Sequence, residues 1–165
     1  MISVEHVRTM ASYNAWQNRS IYGAADTLSD AARRQDRGAF FGSIHGTLSH
    51  LMWGDQQWMS RFSTVEKPKG SGKESPSAYP DWAILKAERT RFDAVISEWA
   101  QRLDQSWLNG NVRWYSGLAK ADLEKPAWFL VTHFFNHQTH HRGQVHAMLT
   151  AAGAKPDDTD LMLMK

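Results

Sequence analysis

Five of the chain's eight histidines fall between His133 and His146. Within Phe134-Phe135-Asn136-His137-Gln138-Thr139-His140-His141-Arg142-Gly143-Gln144, His137 and His141 are four residues apart. On a helix that spacing stacks the two imidazoles on one face, where both can reach one metal ion. A helical His-x-x-x-His pair holds zinc in this way. His133 and His137 have the same spacing, so the pair alone does not set the register. Surface or interface histidines are the plainer reading of such a segment.

Two ligands make a weak site, and a third must come from another helix. His6, His45, His50 and the carboxylates are the candidates. His50 is flanked by Leu51 and Met52, at the margin of an apolar face. His45 and His50 are five residues apart and point to different sides, so at most one of them joins the pair. Asp55 is read as a possible general base or partner of a ligand, against the plainer reading of a solvated helix residue. Arg142 can orient an anionic substrate group or make a surface salt bridge. Gln144, three residues beyond His141, can hold a ligand or a bound water, or bond a neighbouring helix. Gly143 is expected to permit close helix packing, since glycine inside a helix costs about 1 kcal/mol relative to alanine. His133 and His140 turn away from one ligand or the other and are placed behind the ligands or on the surface.

The chain has 165 residues and no cysteine. A metal must therefore be held by nitrogen and oxygen, and any thiol chemistry needs a thiol from outside the chain. Three histidines accept zinc, nickel, iron, manganese or copper. The net charge of +2 and the scattered basic residues argue against a nucleic-acid partner. No apolar run approaches the length of a membrane span. The N-terminal residues lack a signal-peptide pattern, so a cytoplasmic protein is expected.

Four amphipathic helices must position these groups. They are predicted at about residues 4–28, capped by Ser3, then at 42–62, 81–103 and from Pro126 to just before Gly153. Helices of this length suit a bundle. Residues 63–80, rich in Ser, Gly, Pro and Lys, are read as a mobile surface crossover within one domain spanning 1–165. The Asn109-Gly110 pair between Trp107 and Trp114 signals a β-hairpin that caps the bundle. The eight tryptophans are expected to anchor the core.

The segment from His137 through His141-Arg142-Gly143-Gln144 to Met148-Leu149 and Gly153 resembles the C-terminal signature of the DinB/YfiT-like metalloenzyme superfamily. Leu48-Ser49-His50-Leu51 with Asp55 and Trp58 resembles that family's second-helix motif, and Tyr13-Asn14-x-Trp16-x-Asn18 its first helix. The likeness runs over nearly the whole chain, strongest at residues 136–144 and weak through the third helix. It implies an all-α four-helix bundle in up-down-down-up order, with residues 63–80 as the long crossover. It implies a metal site at His50, His137 and His141, with zinc or nickel favoured over iron or manganese, and a homodimer. Known enzymes of the family include transferases and isomerases that use a small cellular thiol such as bacillithiol, mycothiol or glutathione. The chain is thus expected to be a metal-dependent enzyme such as a low-molecular-weight-thiol-dependent S-transferase acting on a small molecule. The alternatives are a metal-dependent hydrolase or a non-catalytic metal- or ligand-binding stress protein. Asp55, Arg142 and Gln144 are the candidate catalytic residues.

Overall fold

The structure, a computed structural model, describes residues 1–117 and 119–164. In chain order the helices are α1 (Val4–Asp26), α2 (Asp30–Arg34), α3 (Ile44–Phe62), α4 (Trp82–Arg102), α5 (Gln105–Asn109) and α6 (Ala127–Ala151). A hairpin of β1 (Asn111–Ser116) and β2 (Ala121–Pro126) stands between α5 and α6.

The long helices start where the sequence supplies caps. The side chains of Ser3, Ser43 and Asp81 accept hydrogen bonds from the backbone N–H groups of His6, Gly46 and Ile84. At the end of α6, Gly153 has φ of 83°, and the amides of Gly153 and Ala154 bond back to Thr150 and Leu149. Those two bonds satisfy last-turn carbonyls in a conformation that suits glycine.

Side-chain contacts give the helix directions. Asn18 of α1 meets Asp93 of α4, while Trp82 at the start of α4 meets Asp26 at the end of α1, so this pair is antiparallel. Asp55 meets Arg89 and Phe62 meets Trp99, so α3 and α4 are parallel. Trp58 meets His133 and His50 meets His141, so α3 and α6 are antiparallel. The four long helices therefore run up, down, down, up. The parallel α3–α4 pair is what requires a long crossover.

That crossover runs over the surface, as expected, but it is pinned to α3 at defined points. Ser75 is fully buried and starts a short 3-10 turn, Ser75–Ser77, packed against α3. Ser49 Oγ donates to the Ser75 carbonyl at 2.7 Å, and Trp53 Nε1 donates to the Lys69 carbonyl at 2.9 Å. The hairpin exists, but its turn lies beyond Ser116 and not at Asn109-Gly110. Asn109 ends α5, and the Gly110 amide caps it by bonding the Trp107 carbonyl. Pro126 is the last residue of β2 as well as the N-cap of α6, so sheet passes directly into helix.

Phenylalanine and aliphatic side chains fill the core, including Ile44, Leu48, Phe92, Ile96, Phe134 and Leu149. All eight tryptophans are only half-buried, against expectation. Trp58, Trp99 and Trp107 pack round Phe62 or beside it near the hairpin end of the bundle. Large amphipathic indoles suit that margin, where one edge is covered and the other is wet.

Candidate metal centre

His50 on α3 and His137 and His141 on α6 converge. His137 Nε2 lies 3.3 Å from His50 Nε2 and 3.1 Å from His141 Nε2. Metal–nitrogen bonds of 2.0–2.1 Å in a tetrahedral site separate neighbouring nitrogens by about 3.3–3.4 Å. The three rings thus already stand near the spacing that one ion requires. His133 and His140 lie outside the group, and His45 turns away, its Nε2 2.7 Å from the Tyr79 carbonyl oxygen.

The second ring nitrogen fixes the tautomer of two of the ligands, His50 and His141. His50 Nδ1 is 2.7 Å from Ser75 Oγ. That hydroxyl donates its single proton to the Gly72 carbonyl, so it accepts from His50 Nδ1–H. His141 Nδ1–H donates to Gln144 Oε1 at 2.8 Å. Both rings therefore present a bare Nε2 lone pair to the common point. His137 Nδ1 is buried with no partner among the described residues. Burial, reinforced by the neighbouring imidazoles, lowers His50 to about 4 and His137 to about 3. His141 is lowered by burial too. All three are neutral at pH 7, the form that binds metal.

Gly54 makes room for the third ring. It follows His50 by one helical turn, and a Cβ there would stand 3.0 Å from His137 Cε1. The close approach expected at Gly143 is found here instead. Gly143 is exposed, and a Cβ on it would meet nothing within 4 Å. Phe41 stacks on His50 with ring centroids 3.8 Å apart and reaches His141 at 5.4 Å, closing one side of the centre with an apolar wall.

Asp55 and Arg142 lie behind the histidines and do not line the cleft in front of them. Asp55 is fully buried, not solvated, and its Oδ2 accepts from Arg89 at 2.7 Å. Arg89 also pairs with Asp93 at 2.8 Å, and Asp93 accepts from Asn14 and Asn18. Burial pushes the Asp55 carboxyl up, against the pull of Arg89. Among the described residues Arg142 makes no salt bridge; it is buried, donates to Asn14 Oδ1 and lies 5.6 Å from the Tyr13 ring. Burial brings it down to about 10, still charged at neutral pH. Sequence reasoning missed Ser75, which lies 25 residues from His50 in a segment without helical periodicity.

In front of the centre a cleft of about 1050 Å³ opens to solvent, with His50 and His137 in its wall. Phe40, Trp53, Trp58 and Tyr115 give it an aromatic lining.

A model of the DinB family matches residues 3–165. The chain belongs to the DinB family. It is 28% identical over 163 residues to "Protein DinB" of Bacillus subtilis (strain 168), covering 90% of this chain and 87% of that protein. A crystal structure of a DinB-like protein from Bacillus cereus ATCC 10987 superposes with a TM-score of 0.62 at 18% identity. That superposition covers 86% of this chain and 89% of the other, and it shows the shared fold. The family member described here thus carries a buried three-histidine group able to hold a metal ion.

Proposed function

We propose that this chain is a metal-dependent enzyme that joins an external low-molecular-weight thiol to an electrophilic small molecule. One observation carries the reading: three neutral imidazoles converge on one point, and two of them, His50 and His137, stand in the wall of an open cleft large enough for small organic ligands. A sealed centre would favour a binding protein. A divalent ion held there supplies Lewis acidity, which ionises a thiol that is mostly protonated at neutral pH when free.

The chain's own groups do the rest. His50, His137 and His141 hold the ion, and Ser75 and Gln144 fix the first and last of these rings. Phe41 and the aromatic lining exclude water from one side. No carboxylate among the described residues lines the cleft, so the thiol proton passes to solvent. The sulfur electron pair then forms the new C–S bond, and the leaving group departs with its own pair. The absence of cysteine from the chain means the sulfur must arrive from outside. Asp55 and Arg142 enter this proposal as positioning residues beneath α3 and α6, and Gln144 as the positioning residue of His141. A cytoplasmic homodimer is part of the same reading.

The test is turnover of a chromogenic electrophile by zinc- or nickel-loaded protein, with and without glutathione, bacillithiol or mycothiol. Thiol-dependent turnover that disappears in His137→Ala is the expected result. Turnover indifferent to every thiol would favour hydrolysis, and none under any condition would favour a metal- or ligand-binding protein.

A further inference from the structure

The stripe of α3 that begins with His50 continues through Gly54, Gln57 and Trp58 to Arg61, all in the wall of the cleft. These positions recur at helical spacing, so one line of α3 forms the cleft floor from the metal centre toward the hairpin. Arg61 is half-buried, and among the described residues no acid or other acceptor pairs with it. Its guanidinium instead lies 4.3 Å from the Trp58 ring centroid and 5.5 Å from that of Trp114 on β1. Two indoles therefore cover the cation and partly desolvate it, while its N–H groups remain free of acceptors among the described residues. Lys67 and Lys73 of the crossover stand in the same wall. Among the described residues the lining contains no Asp or Glu to neutralise these three cations.

A cleft with one sign of charge and aromatic walls selects ligands that are apolar in body and opposite in charge. We propose that Arg61, seated on Trp58 and Trp114, is a specificity-determining anion subsite that binds a carboxylate or similar oxyanion of the molecule reacting at the histidine centre. A helix rise of 1.5 Å per residue separates His50 and Trp58 by about 12 Å along α3. The ligand is thus elongated, with its reactive atom at the histidines and its anionic end at Arg61. Bidentate pairing of the guanidinium with a carboxylate supplies both affinity and orientation. The anion can belong to the thiol or to the electrophile. Assigning the histidine end as the reacting end rests on the proposed thiol transfer; the anion subsite itself does not.

The experiment uses zinc-loaded full-length chain and two matched pairs of probes, with dissociation constants read by calorimetry. Glutathione and its diethyl ester share a thiol and differ in charge. The anion 4-(4-chloro-3-nitrobenzamido)butanoate and its neutral primary amide share an electrophilic ring, and the extended arm lets the anionic end reach Arg61 while the ring stands at the histidines. In the unmodified chain the anionic member of at least one pair binds about tenfold tighter, or better, than its partner. In Arg61→Gln that preference falls to near unity while the neutral member's affinity holds, and Arg61→Lys retains part of it. The pair that responds identifies whether thiol or electrophile carries the anion. Zinc content and melting temperature are matched across the variants. Equal binding within both pairs, a preference that survives Arg61→Gln, or no binding of either anion would overturn the subsite. Arg61-dependent binding without turnover would sink the transfer reading alone. Thiol-dependent turnover insensitive to ligand charge and to Arg61→Gln would sink the subsite alone.

Discussion

His50 and His141 each give Nδ1–H to an acceptor in the protein, Ser75 and Gln144 respectively. Such partners fix ring orientation and raise ligand basicity, and their loss costs about 10–100-fold in metal affinity. Ser75→Ala and Gln144→Ala are each expected to weaken zinc binding by that factor, read by competition with a chromophoric chelator. Affinity unchanged in both would mean that the ring tautomers are not set by these bonds. The two partners differ in how visible they are in the sequence. Gln144 sits three residues after His141, so helix geometry alone puts it within reach. Ser75 arrives by tertiary folding of the crossover, which no periodicity reports. Asp55 shows the opposite error: its place on the helix favoured a solvated residue, and the fold buries it against Arg89.

The helices place these residues through one buried polar link. Arg89 of α4 bridges Asp55 of α3 and Asp93 of its own helix, and Asp93 is tied to Asn14 and Asn18 of α1. Removing one partner of a buried ion pair leaves an uncompensated charge, at about 3–5 kcal/mol. Arg89→Ala is expected to lower unfolding stability by that amount in urea titration, whereas a loss under about 1 kcal/mol would show the link to be dispensable. The four long helices were legible because caps and apolar spacing mark them from end to end. The five-residue helices α2 and α5 were not, since each is too short to show a period. The hairpin was displaced because Asn-Gly also suits a helix end, and α5 takes that pair as its terminus.

At the scale of the molecule, no helix among the described residues is long and apolar enough to cross a membrane. Leu161, Met162 and Leu163 stand exposed together near the C-terminus and add apolar area that a second copy can cover. We propose a symmetric dimer on that ground and on the family resemblance. Light scattering is expected to give twice the chain mass of 18.8 kDa, and a monomer at working concentration would refute it. The proposed thiol transfer depends on metal at the converging histidines. The most direct test is the metal content of untagged, purified protein and of single alanine variants, measured by plasma mass spectrometry. A stoichiometric transition-metal ion is expected in the unmodified chain and in His133→Ala, His140→Ala and His146→Ala, with loss in His50→Ala, His137→Ala and His141→Ala. Metal retained in His141→Ala but lost in His133→Ala would contradict the account.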